Sequence, residues 1–170
     1  FDEISENDKR FYGKPVSTHA YDAPIKAFSV NFNTYAVAVS SGFNIGDNAY
    51  VSIDPFAIAG VEIKNNIKTI NHNEKEHIQI QRYSIKDKTL ISASGKIYIN
   101  SGIKKFYRSV QNPVQAAGEY VKAFLNKAGI KINGNVKEQK INTKQCKLLI
   151  ELEGYDLRTI LTGLNHYSNN

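Results

Sequence analysis

Between Ile25 and Ile103 apolar and polar residues alternate in short runs, and Gly, Pro or Asn soon interrupts each run. A period of two sends successive side chains to opposite faces of an extended backbone, so the stretch reads as many short strands. Phe28, Val30 and Phe32 share one parity; the parity changes across Asn33-Thr34, and Tyr35, Val37 and Val39 carry the alternation on. That pattern predicts two short strands, or one strand with a bulge. Further strands are predicted from Ala49 to Ile53, ended by Asp54-Pro55, and from His77 to Tyr83, with Ile78 and Ile80 on one face. Leu90 to Ala93 and Lys96 to Ile99 are expected to form a strand pair turning at Ser94-Gly95. So many short, punctuated strands predict a small antiparallel sandwich or barrel.

The period changes at Asn112-Pro113. Asn112 suits an N-cap and Pro113 the first helical turn. Val114, Ala117, Val121, Phe124, Leu125 and Ala128 then recur at helical spacing, and Gly129 closes the helix. Val121 and Phe124 are expected on the core side. Short strands are predicted around Ile130 to Val136 and from Lys147 to Leu152. A second amphipathic helix starts near Asp156, with Leu157, Ile160, Leu161 and Leu164 on one face. The fold class is therefore α+β: a β-rich antiparallel domain, a smaller αβ subdomain, and two main helices over about 113–128 and 156–167. Residues 1–24, broken by Gly13 and Pro15, read as an irregular lead-in. Phe1 is not an initiator, and Ser168-Asn169-Asn170 follows a periodic helix with no stop signal. The chain is expected to be a piece of a longer protein.

With 170 residues and 41% hydrophobic content the chain can bury a core, and no apolar run approaches the roughly 20 residues that span a bilayer. The net charge of +6 raises the question of nucleic acid. Lysines and carboxylates are interspersed, as in Lys86-Asp87-Lys88, and no basic stripe interleaves with aromatics, so no nucleic-acid partner is expected. Cys146 is the only cysteine and has no zinc-ligand partners. His19, His72, His77 and His166 lack ligand spacing, so neither a metal nor a cofactor is expected.

Ser168-x-Asn170 is a pattern that also occurs at Ser5-Glu6-Asn7 and Ser29-Val30-Asn31. Its context separates it: it directly follows an amphipathic helix, the setting in which a second serine and an amide are presented beside a nucleophile. Ser101-Gly102-Ile103-Lys104 fits Ser-x-x-Lys, but that chemistry wants the serine at a helix start, and here a strand ends in a turn. His166 and Ser168 are two apart on a helix and do not face each other. No Lys-Thr-Gly or Lys-Ser-Gly occurs.

Several strings, taken in order, resemble the class C low-molecular-mass penicillin-binding proteins, the serine-type D-Ala-D-Ala carboxypeptidase/endopeptidase family. They are Phe1-Asp2, Tyr21-Asp22-Ala23-Pro24-Ile25, Ser29 to Thr34, and Asn112-Pro113 with its helix, Gly129-Ile130, Gly134 and Val136; the last runs from Leu157 to Asn170. The resemblance implies a catalytic domain with Ser-x-x-Lys, Ser-x-Asn and Lys-Thr-Gly motifs, and accessory domains inserted between the first two. By this likeness Ser168 relays a proton to departing D-alanine, and Asn170 holds the substrate's amide carbonyl. The nucleophile and third motif are expected outside the chain, which alone should be inactive. Segments 25–103 and 104–140 are expected to be a β-rich insert and an αβ accessory subdomain, and 141–170 the first strand and helix of the catalytic domain. The implied partners are peptidoglycan stem peptides and, for the complete protein, β-lactams; the implied location is periplasmic or otherwise exported. The competing reading is a non-catalytic β-rich module that binds cell wall or protein.

Overall fold

A computed structural model describes residues 17–24, 26, 28–85, 88–139, 142, 147–148, 150–151 and 153–167. It divides into two compact units, Phe1–Val136 and Lys137–Asn170. Among the described residues, the first holds six strands in two three-stranded sheets and one long helix, and the second holds one helix. The α+β class is thus observed.

In the first sheet, β1 (Thr34–Ser40) lies between β2 (Tyr50–Asp54) and β6 (Lys104–Ser109), antiparallel to both. Val37 stands opposite Ile53 on one side and Phe106 on the other. The expected strand over Phe28 to Phe32 is absent. Asn31, Phe32 and Asn33 all take left-handed backbone angles, with φ of 51°, 54° and 54°. Asparagine tolerates that region because its side chain can bond locally. Here the Asn31 amide donates to the Thr34 carbonyl, 3.2 Å, the Thr34 hydroxyl donates to the Asn31 carbonyl, 2.8 Å, and the Asn33 amide donates to the Pro24 carbonyl, 2.8 Å. Phe32 is left exposed. The parity change at Asn33-Thr34 marks a turn entering β1, not a bulge.

In the second sheet, β5 (Lys88–Tyr98) lies between β3 (Val61–Ile70) and β4 (His77–Ile85). The β4–β5 pair is antiparallel, but β3–β5 is parallel, a departure from the antiparallel expectation. It arises because β5 fills the gap between two strands joined by residues 71–76. The predicted strand pair at Ser94-Gly95 is one continuous strand. Gly95 sits within it at φ 118°, and a Cβ there would come within 2.2 Å of the His77 carbonyl oxygen. Glycine therefore permits close approach of β4 where a turn was predicted.

The inner faces of the sheets share one apolar core. Val37, Val39, Ile67, Ile91 and Ile97 are wholly enclosed in it. Each such side chain contributes about 1.5–3 kcal/mol through removal from water. α1 (Pro113–Lys127) closes the unit. The Asn112 side chain accepts from the Gln115 N–H at 3.1 Å, as its N-cap position predicts. Gly129, at φ 83°, ends it, with the Ile130 N–H returning to the Leu125 carbonyl.

The buried stripe of α1 is Pro113, Ala116, Ala117 and Tyr120, which shares only Ala117 with the predicted one. Val121 and Phe124 are 43% and 52% exposed. Both stripes are apolar in sequence. The small Ala116 and Ala117 let the helix approach the sheets closely, and Tyr120 fills the remaining depth. Phe124 packs edge-on against Phe56 at 4.9 Å. Residues 130–136 carry no strand; they run back along α1, where Gly118 leaves room for Val136 and the Lys122 ammonium donates to the Gly134 carbonyl, 2.6 Å. In the second unit, the described residues 147, 148, 150 and 151 carry no strand. Its helix is α2 (Leu157–Tyr167).

Candidate functional site

α2 is the element that leads to the predicted catalytic serine and amide, and Asp156 fixes its start. One Asp156 carboxylate oxygen accepts from the Thr159 N–H, 2.9 Å, and the other from the Thr159 hydroxyl, 2.8 Å. That is the N-cap arrangement, and these two bonds, the backbone one foremost, hold the Asp156 carboxyl below the ordinary carboxylate range. Along the helix Leu157, Ile160 and Leu161 form the predicted apolar stripe, and all three are exposed. Ser168 and Asn170 lie outside the described residues, as does Cys146.

The alternative matches have other occupations. Ser101 lies in the turn after β5, not at a helix start, and its hydroxyl is buried with no partner among the described residues. Lys104, at the head of β6, pairs with Glu76. Asn31 is engaged in the turn before β1. Ser5 and Asn7 lie outside the described residues. No group of three or more His, Cys, Asp or Glu converges to hold a metal among the described residues.

The polar cluster that sequence reasoning missed surrounds Tyr98, at the end of β5, beneath the 71–76 crossover. The Tyr98 hydroxyl donates to the Glu74 carbonyl at 3.0 Å, and its N–H donates to the Glu76 carboxylate at 3.0 Å. His72 packs against its ring at 4.6 Å, and Lys96 pairs with Glu74. Burial works to raise the Glu76 carboxyl, but hydrogen bonds from Lys104 and the Tyr98 N–H, with the Lys104 charge, hold it below its usual range. Tyr98 and Lys104 reach Glu76 across 22 and 28 positions of sequence. No local spacing signals such pairs. The cluster pins a crossover loop, and each of its two carboxylates is paired with a lysine.

Two small sheets with a capping helix, and a separate amphipathic helix, make an α+β chain. Residues 14–170 match the D-Ala-D-Ala carboxypeptidase 3 (S13) family, and the chain belongs to that family. Its fold is similar to that of penicillin binding protein 4 (dacB) from Haemophilus influenzae, in a structure complexed with a novel β-lactam. The TM-score is 0.51 and the identity 19%, over 75% of this chain and 28% of that one. A second structure of the same Haemophilus influenzae protein matches with a TM-score of 0.50 and 20% identity, over 72% of this chain and 27% of that one. The chain thus spans little more than a quarter of the length of these relatives. No curated protein matches the sequence. Among the described residues no helix is long and apolar enough to cross a membrane.

Proposed function

We propose that the complete protein is an exported, periplasmic serine-type D-Ala-D-Ala carboxypeptidase or endopeptidase acting on peptidoglycan stem peptides, and that this chain supplies its accessory region and Ser-x-Asn motif. The observation that carries the reading is the family match, which extends over Ser168 and Asn170. In this reading a serine outside the chain adds through its Oγ to the carbonyl of the penultimate D-alanine. The C–N bond breaks, D-alanine leaves with a proton on its amine, and water then hydrolyses the acyl-serine. The Ser168 hydroxyl relays the proton to the departing nitrogen, and the Asn170 amide holds the substrate's amide carbonyl. The nucleophile, its lysine and the Lys-Thr-Gly motif are supplied by the rest of the protein. Residues 25–103 and 104–140 are accessory, and 141–170 are the first strand and helix of the catalytic domain.

The test is turnover of a D-Ala-D-Ala peptide, together with covalent β-lactam labelling, in the complete protein. Ser168→Ala is expected to slow D-alanine release by about 10²–10⁴-fold, the usual share of a proton relay, with an unchanged melting temperature. Asn170→Ala loses a hydrogen bond of about 1–3 kcal/mol and should fall by a comparable or smaller factor. Ser29→Ala, at the turn before β1, should keep wild-type turnover. The isolated chain should take no β-lactam. Full turnover by Ser168→Ala, or an adduct at Ser101 of the isolated chain, would overturn the reading.

A further inference from the structure

In the segment that runs back along α1, Asn133 precedes Gly134, the one Asn-Gly pair in the sequence. An asparagine carboxamide is an electrophile, and the backbone nitrogen of the next residue can reach it by closing a five-membered ring. How readily the two meet depends on how free each of them is. Asn133 and Gly134 are both exposed. Neither the Asn133 carboxamide nor the Gly134 N–H has a hydrogen-bond partner among the described residues; what holds Gly134 is its carbonyl, which accepts from the Lys122 ammonium at 2.6 Å. Nothing stands within 4 Å of where a Gly134 Cβ would lie, so no side chain and no neighbour shields the nitrogen. Its φ of 122° is one that glycine adopts at little cost.

The fold disarms comparable pairs elsewhere. Asn48-Ala49 and Asn100-Ser101 also place a small residue after an asparagine. In both, the attacking nitrogen is occupied: the Ala49 N–H donates to the Ile67 carbonyl at 2.9 Å, and the Ser101 N–H to the Tyr98 carbonyl at 3.2 Å. Asn100 is as exposed as Asn133, so exposure does not separate them; the bound N–H does. Asn135 lies in the same segment as Asn133 but precedes the branched Val136, which packs over Gly118 so closely that a Cβ there would come within 2.3 Å of Val136 Cγ1. Of these four pairs, Asn133-Gly134 alone leaves both reacting groups free.

We propose that Asn133 is a covalent modification site, deamidated by intramolecular attack to aspartate and isoaspartate. The Gly134 nitrogen, its proton taken by hydroxide, adds to Asn133 Cγ. The N–Cγ bond forms, the Cγ–Nδ2 bond breaks, and ammonia leaves with a proton from water, closing a succinimide. Water then opens the ring at either carbonyl. One opening gives aspartate; the other gives isoaspartate, in which the main chain runs through the former side chain. Either product lowers the formal net charge of +6 by one, two positions from Lys131. Isoaspartate also lengthens the backbone by a methylene, next to the residue whose carbonyl Lys122 holds. Nothing in this chemistry depends on peptidase activity.

The experiment is incubation of the complete protein in mildly alkaline buffer, native and in guanidinium chloride, followed by tryptic peptide mapping with fragmentation. The peptide Ile132–Lys137 carries Asn133 and Asn135, and Ile97–Lys104 carries Asn100. Native protein should gain a carboxyl at Asn133, part of it as isoaspartate that an isoaspartyl methyltransferase labels. Folding should slow Asn133 by less than about fivefold relative to the denatured chain, and Asn100 by about tenfold or more, because the Ser101 N–H must first be released. Asn133→Gln should keep the melting temperature and gain a carboxyl in Ile132–Lys137 at least about tenfold more slowly, since the larger ring closes less readily. Protection of Asn133 by folding beyond about fivefold overturns the proposal. So does modification of Asn100 as fast as Asn133 in the native protein, or an undiminished gain in Ile132–Lys137 after Asn133→Gln.

Discussion

Tyr120 is the largest side chain that the core encloses completely, and its hydroxyl has no hydrogen-bond partner among the described residues. The ring fills space, while the hydroxyl brings an uncompensated polar atom into that space. Tyr120→Phe should therefore change stability by less than about 1 kcal/mol in either direction, whereas Tyr120→Ala should cost about 3–5 kcal/mol by opening a cavity. Urea denaturation compares them. Burial, helped by the charges of Tyr35 and Asp54, pushes the Tyr120 phenol up to about 12. The folded state thus holds this proton more tightly than the unfolded chain, where a tyrosine ionises near pH 10. Its contribution is complete below about pH 10 and is lost as pH rises through about 12. Tyr120→Phe should lose less stability over that alkaline interval. A slope equal to wild type would mean that Tyr120 is not what makes the fold alkali-sensitive.

At the scale of elements, α1 separates what propensity sets from what packing sets. Its cap, its Pro113 start and its Gly129 stop are where local chemistry puts them. Its orientation about its own axis is not. Two overlapping apolar stripes run along it, and only the depth available above the sheets selects Ala116, Ala117 and Tyr120. Phe124, half-exposed, touches Phe56, whose ring also receives the Lys127 ammonium at 4.0 Å. Phe124→Ala should thus cost about 1 kcal/mol in urea denaturation, well under the about 3–5 kcal/mol of a core aromatic. A loss above about 3 kcal/mol would restore Phe124 to the core. Asp156 at the head of α2 makes the complementary case: the helix was expected to start near it, and its side chain caps that start locally, through Thr159.

For the molecule as a whole, the junction of the two sheets depends on contacts that no periodicity announces. Arg108, on the edge strand β6 of the first sheet, donates from Nε and Nη2 to the Ile80 carbonyl on β4 of the second, at 2.9 and 2.7 Å. The Asn65 amide on β3 reaches the Ala49 carbonyl at 2.6 Å, beside β2. Arg108→Met keeps most of the stem and removes the donors, leaving the Ile80 carbonyl unpaired. It should cost about 1–3 kcal/mol in denaturant, with a single transition preserved for this unit. A loss below about 0.5 kcal/mol would mean that apolar burial alone joins the sheets.

The sequence by itself determined the α+β class, the positions of β1, β2, β4 and β5, both helices, the Asn112 cap of the first, and the order of strings that resembles the carboxypeptidase family; β3 and β6 it did not reveal. What it did reveal follows from local chemistry: a period of two or of 3.6, a side chain that bonds its own backbone, a proline that lacks an N–H. It also supplied Ser168 and Asn170, whose roles remain part of the proposed function. Tertiary structure decided the rest. It turned Asn31 to Asn33 left-handed, because their side-chain bonds outweigh an alternation that locally looks like a strand. It slid β5 between β3 and β4, and so made one pair parallel and placed Tyr98 beneath the crossover. It chose the buried face of α1. For the turn at Asn31 the partners lie within nine residues; in the other cases they are far apart in sequence, and the energy that selects them exists only once the chain has brought them together.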